Sequence, residues 1–318
     1  MKNGREKIAI LCGGTSCERE ISLVSGQAVF EAFSRLEIPA IQIDPKDGDF
    51  ISTLKREAVT FAFIALHGTF GEDGTVQALL EEAQIPYTGS GIRASRNAFD
   101  KSIAQSFFQK AGIPVPSYKV LRKEDKDRRP DPIRVPFVVK PASSGSSVGV
   151  TIVTQAEDFG KALEEAFRYS DAALVEEYVA GRELTVGILG EEVLPIVEVI
   201  PGRAFYDYEA KYKDGGTRYE FPAKLDENRA DRVRRLAWEA YACLGCEVMG
   251  RVDIIWGSGS GPVVLEVNTI PGLTGKSLLP KAAKARGIDF PELCVRILNL
   301  SKEKSVHGQM DEKQKTSV

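Results

Sequence analysis

Gly250-Arg251-Val252-Asp253-Ile254-Ile255-Trp256 and Pro262-Val263-Val264-Leu265-Glu266-Val267-Asn268-Thr269 flank the turn Gly257-Ser258-Gly259-Ser260-Gly261. Two apolar runs around a Gly/Ser turn read as a β-hairpin. Symmetric closure sets Asp253 opposite Glu266 and Arg251 opposite Asn268. Side chains alternate along a strand, so these four share one face. The other face collects Val252, Ile254, Trp256, Val263, Leu265 and Val267, a surface made for a core. Two carboxylates and an amide oxygen on one face suit a hard cation such as Mg²⁺, which takes a couple of carboxylates, waters and phosphate oxygens. The same pattern also fits a polar sheet face carrying an Arg–carboxylate pair. Beyond the second strand, Thr269-Ile270-Pro271-Gly272 breaks the ladder and can bring backbone groups to a ligand.

The chain around this hairpin has 318 residues, enough for two or three domains. Its 43% hydrophobic and 27% charged residues are ordinary for a soluble globular protein. Lys and Arg number 42 against 45 Asp and Glu, a net charge of −3, which argues against a general nucleic-acid or membrane-surface binder. No apolar run reaches the ~18 residues of a membrane helix. Residues 1–6 lead straight into a strand and not a signal peptide, so a cytoplasmic protein is expected. Cys12, Cys17, Cys243, Cys246 and Cys294 are odd in number and scattered, which predicts reduced thiols. Cys243-Leu244-Gly245-Cys246 has no second pair, so packed helix-end thiols are the simpler reading.

Residues 1–97 alternate strand and helix: apolar strands at 7–12, 40–44 and 61–66, helices at 18–33 and 75–83, and a short run at 85–88. That rhythm predicts a parallel sheet with helices on its faces, and ligands beyond the carboxyl ends of its strands. The segments 13–18 and 67–73 stand at such ends. No G-x-G-x-x-G is present. Residues 98–182 form a mixed unit, entered by a helix at 94–111 and a Gly/Pro boundary at 112–116. Residues 183–300 hold a strand at 193–200, a polar aromatic loop at 203–224 that reads as a lid, a helix at 226–244, the hairpin, and helices at 277–286 and 290–300. Residues 301–318 are polar and unpatterned, which predicts a frayed tail.

Lys140 ends an apolar strand just before Pro141-Ala142-Ser143-Ser144-Gly145-Ser146-Ser147-Val148. Small residues leave backbone N–H groups free to wrap phosphate oxygens, and the lysine adds positive charge. A Walker A loop it is not, since that motif places its lysine after the glycines and opens a helix. Lys101 and Lys211 are lone lysines that fit either solvated surface or phosphate contact. Glu176, Glu177 and Glu183 surround strand ends where an acid can take ribose hydroxyls, and His67 sits at a strand end.

Taken in order, the motifs resemble the D-alanine–D-alanine ligases of the ATP-grasp superfamily over residues 7–300. They are Gly13-Gly14-Thr15-Ser16-Cys17-Glu18-Arg19-Glu20, Leu66-His67-Gly68 with Gly71-Glu72-Asp73-Gly74, and Tyr87-Thr88-Gly89-Ser90-Gly91. Val139-Lys140-Pro141 with Gly145-Ser146-Ser147-Val148-Gly149 follows, then Tyr206-Asp207-Tyr208-Glu209-Ala210-Lys211-Tyr212. Gly250-Arg251-Val252-Asp253 and Leu265-Glu266-Val267-Asn268-Thr269-Ile270-Pro271-Gly272-Leu273-Thr274 close the set.

The resemblance implies an α/β protein: an N-terminal parallel-sheet (pre-ATP-grasp) domain, then a two-part ATP-grasp fold with mixed and antiparallel sheets. It implies ATP between the grasp subdomains, with Lys101, Lys140, Lys211 and Ser147 at its phosphates, Glu183 at the ribose, and Glu176, Glu177 and Tyr178 along the adenine. Asp253, Glu266 and Asn268 would hold two Mg²⁺ or Mn²⁺ ions. Glu18 would bind the first D-alanine's ammonium and form a triad with Ser146 and Tyr212. His67 would lie near that substrate's carboxylate, Arg251 and the Gly272 N–H would stabilise the oxyanion, and Ser277 would bind the second D-alanine's carboxylate. The expected activity is joining two D-alanines, through an acylphosphate, for peptidoglycan precursors and the cell wall. A homodimer is the family expectation. Tyr212 favours an amine acceptor, since resistance-type D-alanine–D-lactate ligases generally lack this tyrosine. A sibling ligase using D-lactate or D-serine, and a catalytically silent nucleotide-binding module, are the rivals. This chain departs from many relatives at Glu177, where a lysine is common, and at Gly275-Lys276, which replaces a Ser-His pair.

Overall fold

In a computed structural model, residues 6–125, 134–202, 216–259 and 261–315 are described, with side chains as far as 305. The first sheet is parallel, with β1 (Ile8–Leu11) between β2 (Ala40–Ile43) and β3 (Phe61–Ile64), and Tyr87 bridging to Ala62. Every residue of Ile-Ala-Ile-Leu in β1 is buried, as a parallel strand covered on both faces must be. Helix α1 (Arg19–Arg35) lays Ser22, Ser25, Gly26, Val29, Ala32 and Phe33 inward, the spacing of one helical face. Gly26 is required by close approach, because a Cβ there would lie 2.4 Å from the Cys12 Cβ.

After α2 (Phe50–Arg56) and α3 (Thr75–Glu82), the helix expected at 94–111 proves to be two, α4 (Ile92–Phe99) and α5 (Lys101–Lys110). Asp100 breaks it: in extended conformation, its carboxylate accepts from the N–H groups of Ser102 and Ile103 at 2.9 and 3.2 Å, an N-cap that outcompetes continuation. Lys101 thereby opens a new helix, and its own N–H donates to Ala142 O.

The second sheet is antiparallel, ordered β4 (Tyr118–Arg122), β7 (Ala172–Glu177), β5 (Phe137–Pro141) and β6 (Thr151–Val153), with α6 (Phe159–Ala166) packed on it. The third runs β11 (Arg218–Glu220), β10 (Val197–Ile200), β8 (Gly181–Leu189), β12 (Met249–Gly257) and β13 (Gly261–Asn268), with β9 (Glu192–Val193) on β8. The single strand expected at 193–200 is thus two, β9 and β10, separated by Leu194–Ile196. Helix α7 (Glu227–Cys243) covers this sheet with Ala230, Val233, Ala237 and Ala240. Residues 94–113 pack in the same core through Ala94, Ala98, Ala104, Phe108 and Ile113, so the start of the segment assigned to the central unit belongs physically with the C-terminal sheet.

The hairpin pairs as read where it matters: Arg251 with Asn268, Val252 with Val267, Asp253 with Glu266. Between Asp253 and Ile254 the register shifts, so that Ile254 pairs with Val264 and Gly257 with Gly261. Leu265 is the extra residue of a bulge. It was expected in the core; instead Val264 is fully buried there, and Leu265 lines a cavity beside Glu266. Ile254 has no exposed surface, and its replacement by alanine is expected to lower stability by about 2–5 kcal/mol. A urea unfolding midpoint left unchanged would contradict this burial.

After α8 (Leu278–Ala285), the last helix α9 (Phe290–Lys315) overturns the expected tail, since it continues from Leu300 to Lys315. Ser301 is fully buried and its hydroxyl donates to Ile297 O, while Lys304 reaches Gly89 O and Glu247. A Lys/Glu/Gln-rich run has good helix propensity without any apolar stripe. Cys243 and Cys246 sit at the end of α7 as free thiols, pushed up by burial to about 11 and about 12, which agrees with a packing role. Among the described residues, no helix is long and apolar enough to cross a membrane.

Candidate active site

Two clefts adjoin where the three sheets meet, and Lys101, Ser144, Glu183, Asp253 and Glu266 line both. The first is walled by Glu18, His67, Ser146, Arg251, Asn268, Gly272 and Ser277. The second has apolar walls from Val138, Val150, Val179, Ile255 and Leu265, with Lys140, Ser147, Glu176, Glu177 and Tyr178 around them. The bulge supplies part of that wall, because it turns Leu265 and Glu266 to the same opening. Such a slot, apolar with a few polar groups at its edge, suits a planar heteroaromatic ring.

Glu18 stands at the start of α1 and is 5% exposed. The Ser146 hydroxyl donates to its Oε1, joining the N-terminal unit to the Gly/Ser loop of the central one. Its Oε2 is buried, with no hydrogen-bond partner among the described residues. A buried carboxylate oxygen left unpaired is costly, so the geometry is prepared for a cationic or donor group. Ser146 and Ser147 both have positive φ, 51° and 58°, a conformation that costs non-glycine residues of order 1–3 kcal/mol each. A Cβ on Gly145 would overlap Glu18 Oε2. Gly145→Ala is therefore expected to displace that carboxylate and cut kcat/KM at least about tenfold, with folding little changed. Full activity in that variant would mean that the Gly145–Glu18 approach is unimportant.

His67, 5% exposed, lies between Ser25 and Glu72: its Nε2 is 3.0 Å from Ser25 Oγ and its Nδ1 3.5 Å from Glu72 Oε1. Burial pushes the Glu72 carboxyl above its ordinary range, with the nearby Glu18 charge in the same direction and His67 opposing. Neither Ser25 nor Glu72 was assigned a role from sequence. Glu72 lay inside a quoted motif, whereas Ser25 looks like any polar residue on α1.

On the hairpin, Arg251 holds Asp253 bidentately, Nε to Oδ1 at 2.9 Å and an Nη to Oδ2 at 2.7 Å. The Arg–carboxylate pair left open by the sequence therefore exists. Thr185, which pairs with Asp253 across β8, donates its hydroxyl to Asp253 Oδ1 at 2.7 Å. The Lys101 Nζ lies 3.2 Å from Glu266 Oε2 and donates to Ser144 O at 2.6 Å. Asn268 Oδ1 accepts from the Ile270 N–H. Among the described residues no three His, Cys, Asp or Glu side chains form a metal cluster. The set present has two carboxylates and one amide, oxygen donors only, partly open to the cleft at 15% for the Asp253 side chain and 28% for Glu266. That chemistry fits a hard divalent cation completed by water and phosphate oxygens, and excludes a soft-metal preference.

In the second cleft the Lys140 Nζ lies 2.7 Å from Glu176 Oε2, while Gln105 donates to the other oxygen. All three are buried. Glu177 is exposed at the rim, and Glu183 stands where the two clefts join. Ser277 caps the turn before α8; its Oγ accepts from the Thr274 N–H at 3.0 Å and packs against Gly272, whose added Cβ would approach it to 2.6 Å. Lys211 and Tyr212 lie outside the described residues.

Residues 107–299 match the family description "D-ala D-ala ligase C-terminus" and residues 49–90 match "D-ala D-ala ligase N-terminus". The chain is 47% identical over 294 residues to a D-alanine–D-alanine ligase of Citrifermentans bemidjiense, covering 92% of this chain and 95% of that one.

The chain belongs to the D-alanine–D-alanine ligase family.

A second family member, from Pelotomaculum thermopropionicum, is 40% identical over 93% of this chain and 97% of its own length. Among solved structures, the D-alanine–D-alanine ligase of Bacillus anthracis superposes with a TM-score of 0.83 at 34% identity, over 95% of this chain and 99% of that one. The same Bacillus anthracis enzyme complexed with ATP gives 0.81 at 31%, again over 95% and 99%. A D-Ala:D-Ser ligase of Enterococcus faecalis gives 0.78 at 29%, over 94% and 100%. The parallel sheet followed by antiparallel ones is thus the α/β, ATP-grasp architecture of this ligase family.

Proposed function

We propose that the protein joins two D-alanines into D-alanyl-D-alanine at the expense of ATP, through an acylphosphate, releasing ADP and phosphate for peptidoglycan precursor synthesis. The observation that carries this reading is the meeting of the two clefts at one set of charges. A polar chamber built for a small amino acid opens onto an apolar slot built for a base, and Lys101, Asp253 and Glu266 stand at the junction. The amino acid's carboxylate and the nucleotide's terminal phosphate would meet there.

In the first chamber, Glu18 Oε2 receives the ammonium of the first D-alanine and His67 lies toward its carboxylate. In the slot, Glu176, Glu177 and Tyr178 border the adenine, Glu183 takes the ribose, and Lys101, Lys140, Ser147 and Lys211 hold phosphate oxygens. The first carboxylate oxygen attacks the γ-phosphorus, forming an O–P bond as the bond to ADP breaks. The lysines offset the charge on the transferring group, and holding the reactants in line supplies much of the rate. Asp253, Glu266 and Asn268 would hold the Mg²⁺ or Mn²⁺ ions, which when bound neutralise phosphate charge and orient its oxygens. The second D-alanine, its carboxylate at Ser277, then attacks the acyl carbon as a neutral amine. Arg251 and the Gly272 N–H stabilise the oxyanion; phosphate leaves and the amine proton passes to a base. Tyr212 would close a triad with Glu18 and Ser146 and favour an amine over a hydroxyl acceptor; of the stretch 203–224 expected as a lid loop, Arg218–Glu220 is instead strand β11, paired with β10.

A product assay tests this directly. Offered D-alanine, L-alanine, D-serine and D-lactate against one ATP pool, the enzyme should release phosphate with D-alanine and form the dipeptide. Preferential D-Ala-D-lactate or D-Ala-D-Ser formation would move the reading to a sibling ligase, and background phosphate release with every acceptor to a silent nucleotide-binding module. Lys140→Ala should raise the KM for ATP about 10- to 100-fold, the loss of one charge-assisted hydrogen bond. It should also cost stability, since Glu176 would be left buried beside Gln105 alone. An unchanged KM for ATP would remove Lys140 from the nucleotide site. A cytoplasmic homodimer is the assembly we propose, checked by light scattering and cell fractionation.

A further inference from the structure

The Ser25 hydroxyl is fully buried and touches two other units of the site: His67 Nε2 at 3.0 Å, and the Leu273 N–H at 3.4 Å. We propose that Ser25 is a positioning residue that holds His67 as the neutral Nδ1–H tautomer and ties it to the loop carrying Gly272. The proposal rests on His67 serving the first D-alanine.

The direction of the bonds follows from counting hydrogens. The Leu273 amide can only donate, so Ser25 Oγ accepts from it. The serine's own hydrogen then goes to His67 Nε2, the acceptor that lies within reach. An unprotonated Nε2 puts the ring hydrogen on Nδ1, where it faces Glu72 Oε1 at 3.5 Å. Polarity runs one way from Leu273 N–H through Ser25 and His67 to Glu72. The reverse tautomer would point two N–H groups at Ser25 Oγ and leave the serine hydrogen without this acceptor. It would also turn the Nδ1 lone pair toward a carboxylate. A histidine side chain in water favours the opposite, Nε2–H, form, so an Nδ1–H ring reports on its surroundings.

The mechanical consequence is a link between the first-substrate histidine on the N-terminal sheet and the Gly272–Leu273 backbone after the hairpin. A ring hydrogen-bonded at Nε2 and faced by a carboxyl at Nδ1 keeps one orientation, as histidines in metal and catalytic sites do.

The chain has two histidines, His67 and His307, so the test is direct. In His307→Gln protein carrying ¹⁵N-histidine, long-range ¹H–¹⁵N spectra at neutral pH should show His67 protonated at Nδ1 and bare at Nε2. Ser25→Ala removes one of the two biases, so the Nε2–H form should appear beside the Nδ1–H form, and kcat/KM for the first D-alanine should fall about tenfold, mainly through KM. Wild-type His67 protonated at Nε2, or at both nitrogens, would overturn the proposal. A Ser25→Ala spectrum with the parent's tautomer composition would do the same. A changed tautomer with unchanged kcat/KM would end the positioning role while leaving the dipeptide synthesis of the parent enzyme intact. Absence of dipeptide from the parent would instead count against the assigned activity, whatever the tautomer.

Discussion

Glu266→Ala is expected to remove turnover, by at least about 10³-fold in kcat, while the urea unfolding midpoint barely moves. The two halves of that expectation come from different physics. Glu266 reaches the junction of the two clefts, where its carboxylate faces Lys101 and stands across the ladder from Asp253. If it holds the cations that neutralise the transferring phosphoryl group, its loss withdraws charge stabilisation where the transition state needs it most. Removing one preorganised group of that kind commonly costs about 10²–10³, and here the same removal also takes away the carboxylate that positions the Lys101 Nζ at 3.2 Å. Stability should be largely spared because the Glu266 side chain is 28% exposed and Lys101, though only 11% exposed, keeps its hydrogen bond to Ser144 O and opens onto the same cleft. The apolar neighbours that hold the hairpin, Val264 and Val267, are untouched. Steady-state kinetics with ATP, Mg²⁺ and D-alanine, beside a urea titration, separate the two effects. Near-normal turnover would show that the hairpin face is wrongly assigned.

Glu18→Gln should cut kcat/KM for the first D-alanine about 10²–10³-fold with kcat for ATP hydrolysis lowered in parallel. The variant keeps the shape and the acceptor for Ser146, so the loop should stay in place. What disappears is the negative charge on Oε2, the buried oxygen without a partner among the described residues. A buried charge pair broken from one side costs about 2–5 kcal/mol, because the partner's ammonium remains desolvated. Isothermal titration with D-alanine and a non-hydrolysable ATP analogue reads this loss without chemistry. Unchanged D-alanine affinity would place the ammonium elsewhere and remove the carboxylate from the substrate site.

How much of this site was legible in the sequence differs by residue. The pairing of Asp253 with Glu266 and Arg251 with Asn268 followed from turn symmetry and strand alternation, and the ladder has that register. The bulge at Leu265 did not, since a Gly/Ser turn accommodates either closure and only packing of Val264 in the core chooses one. Asp100 shows a signal that was present but outweighed. An Asp followed by a new helical turn is a cap, yet the longer apolar periodicity on both sides argued for continuity. Thr185 was beyond reach, because nothing local says that β8 lies beside β12. Ser25 was equally hidden, since its partners are 42 and 248 residues away.

By itself, the order of residues determined which chemistries this protein can hold: oxygen donors on a hairpin, a lysine before a small-residue loop, a β–α rhythm feeding a parallel sheet. These are local properties, set by alternation, turn composition and side-chain charge within a few residues of each other. Tertiary structure alone decided which of those groups face one another. It brought Ser146 onto Glu18, Lys101 onto Glu266, Lys140 onto Glu176 and Ser25 onto His67. The physical reason is that such contacts are chosen by the packing of whole sheets and helices, where the burial of distant apolar faces sets positions that no short stretch of chain encodes.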